Sequence, residues 1–273
     1  MNVAKIVFLI LLLAIAPARS AEEWRLVWHD EFDTNGAPNP ANWNFEHGFE
    51  RNHELQWYQP ENAYCTNGLL VIEARREPKP NPQYNPEADN WPAKRKMIKY
   101  TSASLTTRGL HEFKYGKFEM RARIDPRLGS WPAFWTLGVE PDVHWPACGE
   151  IDIMEYYTGT VLANFGWQKN GLTDWHAKKR ALWKFHDPSW SKQFHIWTME
   201  WDEKKIDLRL DGWLMNHLNL VDADNADEGN PFHRPEYIIL NQAIGGNCGG
   251  NPEATEFPVR YEIDWVRVYQ RTP

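Results

Sequence analysis

A chain of 273 residues is long enough to bury a full core, and its net charge of −7 excludes the basic face that nucleic acid requires and disfavours a strongly anionic polymer. Three cysteines permit at most one internal disulfide, and their spacings fit no zinc pattern. Tryptophan is the outlier at 16 residues, and an indole joins an apolar face to a single donor, which raises a carbohydrate ligand without deciding it.

In chain order, Met1–Lys5 carries one positive charge, Ile6–Ile15 is unbroken apolar, and "APARSA" offers small residues for cleavage. This predicts a secretory signal peptide over residues 1–21, too short to span a bilayer as a stable helix. The expectation is an exported, monomeric protein with no stable membrane association, its single domain covering residues 22–273. "GLLVIEARRE" (Gly68–Glu77) reads as a strand. Its five prolines make Arg75–Lys99, a locally basic stretch, an irregular loop. "KFEMRARI" alternates, with Phe118, Met120, Ala122 and Ile124 on one face and Lys117, Glu119, Arg121 and Arg123 on the other. "HIWTMEW" (His195–Trp201) and "KIDLRL" (Lys205–Leu210) are joined by "DEKK", a hairpin signal, and an Asp211–Gly212 turn follows. Asp222–Pro235 reads as a second long loop, and "YEIDWVRVYQ" as a closing strand. No stretch holds a helical period with caps. The prediction is all-β: two curved antiparallel sheets in a sandwich or jelly roll, with a concave face suited to a long substrate.

"GEIDIMEYY" (Gly149–Tyr157) gathers Glu150, Asp152 and Glu155. In a regular strand Glu150 and Asp152 share a face, while the odd offset sends Glu155 to the other. One extra residue, a β-bulge at Ile153 or Met154, would return Glu155 to its partners. Two carboxylates across a bond suit glycoside hydrolysis, and a gap of about 5–5.5 Å suits retention of configuration. The middle carboxyl could orient the nucleophile, and the clustered charge raises the pKa of whichever group must carry the proton. Taken alone, the pattern also fits a solvated acidic strand or a Ca²⁺ or Mg²⁺ site.

The neighbouring motifs decide between these. "GEIDIME" resembles the E-I-D-I-x-E signature of glycoside hydrolase family 16, in the form with the extra bulge residue. "GSWPAFWTLG", "WPACGEID", "LVWHDEFD", "NHELQWY", "YGKFEMRARI", "ILNQAIGG" and "IDWVRVYQ" match its laminarinase-like branch, in order, over residues 26–270. The resemblance implies a jelly-roll sandwich and retaining endo-hydrolysis of a β-linked polysaccharide, most simply β-1,3- or β-1,3-1,4-glucan. It implies Glu150 as nucleophile, Asp152 as its helper and Glu155 as acid/base, with no cofactor in the chemistry. It implies a cleft lined by Trp131, Trp135 and Trp145. Parity independently puts Trp131 and Trp135 on one face and Phe134 in the core. A structural Ca²⁺ on the convex side would match Glu31, the Gly68 carbonyl and Asp264. Two departures touch the sugar contacts: His53 stands where β-1,3-glucanases often have Asn, and Asn164 where laminarinases often have His. A galactan-type hydrolase (agar, porphyran, carrageenan) shares the mechanism, and the Arg75–Lys99 loop would serve a sulfated polymer if it covered the cleft. A non-catalytic β-glucan-binding protein would lack the two glutamates, and both are present. His144, His176 and His195 read as surface or satisfied core.

Overall fold

The residues of "KFEMRARI" form strand Gly116–Ile124, and Phe118, Met120, Ala122 and Ile124 are all buried, as the alternation predicts. The outward residues form ion pairs instead, Lys117 with Glu119, Arg121 with Asp264 and Arg123 with Glu262. Each buried apolar side chain stabilises by about 1.5–3 kcal/mol. An exposed ion pair contributes about 0–1 kcal/mol. The inward face therefore fixes the strand's orientation.

The computed structural model describes residues 23–225 and 229–272, so the predicted signal peptide lies outside the described residues. Two sheets pack face to face. The larger has ten strands, in the order Trp213–Asn219, Lys205–Leu210, His195–Trp201, Gly116–Ile124, Val259–Arg271, Leu69–Pro80, Met97–Ser102 and Gln56–Tyr58. Trp24–Asp30 pairs with Val259–Arg271, and Ala63–Thr66 with Leu69–Pro80. The smaller has seven strands, in the order Leu172–Ala181, Thr160–Lys169, Glu150–Tyr157, Ser130–Gly138, Glu236–Ile244, Ser104–Thr106 and Asn44–Phe45. Pairing is antiparallel except between Gln56–Tyr58 and Met97–Ser102. Between the sheets lies one apolar cluster that includes Phe118, Trp197, Met199, Trp201, Ile206 and Leu208 from the larger and Phe134, Ile151, Phe165 and Leu240 from the smaller. The all-β jelly-roll expectation holds. The predicted hairpin is present, and Asp211 and Gly212 both take positive φ, 49° and 80°, as a tight primed turn requires.

The stretch expected to be an irregular loop is more ordered than its prolines suggest. Strand Leu69–Pro80 runs on through Pro78, and a short helix, Trp91–Lys94, follows. Its N-cap is Asn90, whose side chain accepts from the Ala93 amide at 3.0 Å. Past Ala74 the strand pairs only with Met97–Ser102, so it is an edge there and prolines are tolerated. No residue of this segment lines the cavity described below. Arg95 donates to the carbonyls of His53 and Glu54 and lies over the rings of Phe49 and Trp91. Arg76 donates to the carbonyls of Pro252, Glu253 and Thr255. Both arginines clamp backbone rather than face the cleft. The second predicted loop carries short 3₁₀ turns at Leu220–Ala223 and Pro231–His233.

Candidate active site

The strand Glu150–Tyr157 is irregular where parity requires it. Against Ser130–Gly138, Asp152 pairs with Trp135 but Met154 pairs with Phe134, which leaves Ile153 as the extra residue. Against Thr160–Lys169, Asp152 pairs with Asn164 and Glu155 with Leu162, so the shift falls across Ile153 and Met154. Ile151, Ile153, Met154 and Tyr156 all belong to the core cluster. Glu150, Asp152 and Glu155 all line a cavity of about 550 Å³ on the other side of the sheet. Two consecutive residues, Ile153 and Met154, turn inward, and that doubles the core side once and brings Glu155 round.

Donors hold each acid. Trp131 Nε1 donates to Glu155 at 2.8 Å, and Trp145 Nε1 to Glu150 at 2.5 Å. One amide group, Asn164 Nδ2, donates to Asp152 at 3.0 Å and to Glu155 at 2.8 Å. Burial and the Glu155 charge push Glu150 up to about 7, against its hydrogen bonds from Asp152 and Trp145. Asp152 is raised well above the carboxylate range by burial and by the charges of Glu155 and Glu150. Their mutual hydrogen bond raises Asp152 and lowers Glu150, so of the two Asp152 holds a proton more readily. Burial also raises Glu155, against Trp131, Asp152 and Asn164. The three titrate as one unit. Such a unit keeps a proton among its carboxyl groups into the neutral range.

The structure places Trp131, Trp135, Trp145 and Asn164 in the cavity lining with the three acids. Trp131 and Trp135 are nearly buried and Trp145 is exposed, while Phe134 is fully in the core. Trp135 is anchored by Nε1 to Asn241 Oδ1 at 2.7 Å. Asn164, expected as a sugar contact, has its amide engaged by Asp152 and Glu155.

Sequence reasoning missed a second polar group at the far end of the cavity. Glu54 accepts from Gln56 at 2.7 Å and from Tyr58 at 3.1 Å, and Tyr58 accepts from Asn241 at 3.0 Å. Burial raises the Glu54 pKa despite Arg51. Burial opposes the charge on Arg51, but its pair with Glu46 outweighs that and keeps it protonated above Trp135. The available signal was polar spacing in "NHELQWY", with Glu54, Gln56 and Tyr58 at every second position. Arg51, Trp175 and Cys248 also line the cavity and carried no local pattern.

The three suggested calcium positions fall at one corner of the larger sheet, since Asp30 pairs with Val266 and Leu70 with Ile263. Both carboxylates there are ion-paired. Glu31 takes Arg267 through two bonds of 2.8 Å, and Asp264 takes Arg121. Among the described residues no three metal-ligating side chains converge. A calcium ion here would compete with two guanidinium groups. Cys65, Cys148 and Cys248 are free thiols, the first two buried. His195 is a satisfied core residue, bonded to Asp211 and the Trp190 carbonyl.

Known proteins resemble this chain in sequence and fold. The model of glycosyl hydrolases family 16 matches residues 50–267. The beta-glucanase of Rhodothermus marinus is 35% identical over 281 residues, covering 92% of this chain and 86% of that protein. The laminarinase catalytic domain from Thermotoga maritima MSB8 superposes with a TM-score of 0.78 at 38% identity, covering 92% of this chain and 100% of that one. A structure from work on human gut microbiota that express endo-acting O-glycanases to initiate mucin breakdown gives 0.83 at 34% identity, covering 90% and 91%. Two other curated relatives are longer, and the chain spans 34% and 38% of their lengths. The chain therefore belongs to family 16 of the glycosyl hydrolases and is a glycosidase that hydrolyses O-glycosyl bonds.

Proposed function

We propose that this protein is a retaining endo-hydrolase of β-1,3- or β-1,3-1,4-glucan. The observation that carries the proposal is the bulge at Ile153–Met154, which sets Glu155 beside Glu150 and Asp152 on the cleft face. Glu150 attacks the anomeric carbon while Glu155 gives its proton to the departing glycosidic oxygen. The C–O bond breaks, and a glycosyl ester forms on Glu150. Glu155, now a carboxylate, takes a proton from water, and the hydroxide attacks the same carbon, releases Glu150 and restores the configuration. Asp152 orients Glu150 through their hydrogen bond. No cofactor enters these steps.

Relatives whose names state glucanase activity support the polymer. They include a glucan endo-1,3-beta-glucosidase of Cryptopygus antarcticus, 34% identical over 84% of this chain. A galactan-type substrate is the second reading, favoured by a relative named keratan-sulfate endo-1,4-beta-galactosidase, of Sphingobacterium multivorum, 26% identical over 91% of this chain, and by Arg51 in the cleft. The N-terminal pattern supports export, and a monomer is the expected working state.

The test is a panel of laminarin, lichenan, agar, porphyran and carrageenan, with product linkages and initial anomeric configuration followed by NMR. Cleavage of laminarin or lichenan with retention, abolished in folded Glu150→Gln and Glu155→Gln, is the expected outcome. Inverted products would overturn the mechanism. Cleavage confined to galactans would overturn the glucan assignment.

A further inference from the structure

The geometry points to Trp175 as a sugar-binding platform that builds one end of the cleft, seated there by Gly166. Trp175 lies on Leu172–Ala181, the edge strand of the smaller sheet, and is 45% exposed. Register sets it in a row across the strands: Leu137 opposite Glu150, Glu150 opposite Gly166, and Gly166 opposite Trp175. All but Gly166 are in the cavity lining. Two strand spacings put the Trp175 backbone roughly 10 Å from that of Glu150.

Gly166 occupies the gap between them. A Cβ there would stand 2.8 Å from the Trp175 ring, closer than real contacts allow, so the ring lies down over the glycine backbone toward Glu150. Any other residue would push it away. The ring also meets Trp145 at 6.4 Å between centroids, tilted by 46°. Trp145 is 50% exposed, and its Nε1 holds Glu150. Two half-exposed indoles thus flank the space beside Glu150. On an edge strand in water a half-exposed indole gains little, whereas an apolar ring face beside a reacting sugar can stack on the C–H face of the next unit. The occupant is the unit of the β-linked chain adjacent to the one Glu150 attacks. The inference rests on the glycan-hydrolase reading but on no particular polymer.

The test compares wild type with Trp175→Ala and Trp175→Phe on whichever polymer of the panel wild type cuts. Failure of the glucan assignment therefore leaves this comparison intact. The expected result for Trp175→Ala is a rise in KM of about five- to tenfold with a smaller change in kcat. Products from a defined oligosaccharide should also shift in length as the cleavage position moves, and Trp175→Phe should restore most of both. An unchanged KM and an unchanged product pattern in folded Trp175→Ala would overturn the proposal. So would a change confined to oligomeric state on size exclusion, which would make the indole a contact between copies. Should wild type cut none of the polymers, retardation in gels containing each is the readout, and equal mobility of wild type and Trp175→Ala in every gel would likewise overturn it.

Discussion

Asn164 offers the sharpest probe of the acid cluster, because one amide group serves two carboxyl groups at 3.0 and 2.8 Å. Asn164→Leu keeps the branching and the number of side-chain heavy atoms and removes both donors. A hydrogen bond to a charged group contributes about 1.5–3 kcal/mol. That bond favours the ionised form of Glu155, so its loss should raise the Glu155 pKa further. Burial already pushes Glu155 up, and only Trp131 and Asp152 would remain to oppose it. As the general acid, Glu155 must be protonated, so activity falls as pH rises through its pKa. The alkaline limb of kcat/KM should therefore move to higher pH. The acid limb, set by ionisation of the nucleophile, should move less. The assay is kcat/KM against pH on a soluble substrate, which reports the free enzyme. Near-wild-type Tm would establish that the variant is folded. An alkaline limb that stays in place, or moves to lower pH, would refute the assignment of the proton to Glu155.

Other predictions follow from separate features. Glu236 is fully buried, bonded only through Thr136, and burial together with the Glu150 charge pushes it up to about 8. Between its ordinary value near 4.5 and that pH the native state holds a proton the unfolded chain has lost. Wild-type stability should therefore fall relative to Glu236→Gln across this window, by as much as roughly 4 kcal/mol, and level off above it. Urea denaturation at pH 5 and pH 8.5 checks this, and a constant difference would contradict it. The bulge can be tested by length. Inserting one Ala between Met154 and Glu155 should abolish activity by turning Glu155 to the core side. Deleting Met154 restores even parity and should leave measurable activity, at a stability cost of about 2–5 kcal/mol for the lost core side chain. Calcium should raise Tm more in Arg267→Ala, where Glu31 is released, than in wild type. Absence of any response in both would remove the site.

The sheet faces were legible because alternation is local: Phe118 through Ile124 and Ile206 through Leu210 announce their buried side within a few residues. The bulge was legible for the same reason, since three acids on one open face conflicted with the period of a strand. The Glu54 group was not. Its bond chain joins Tyr58 to Asn241 across 183 positions, and such a pairing has no local trace. Asn52 and His53 take φ values of 54° and 52°, and only the folded turn shows that Glu54 points into the cleft. The family resemblance implies Asn164 as a sugar contact, and it does line the cavity. Its opposition to Asp152 in the ladder, which engages the amide, emerges only with the register. The proline-rich stretch was misjudged because edge status, which permits proline in a strand, is a property of the sheet and not of the segment.

The order of strands also bears on how the chain acquires its shape. Val259–Arg271, the last strand, lies inside the larger sheet, between Gly116–Ile124 on one side and both Leu69–Pro80 and the first strand Trp24–Asp30 on the other. Until those final residues leave the ribosome, three earlier strands lack a neighbour and expose unpaired edges. Closing the sheet joins segments separated by almost the whole described length, a slow event that pays its entropy before its contacts form. Completion of the larger sheet thus waits for Val259–Arg271. Loss of residues 259–271 would therefore remove a strand from the middle of a sheet.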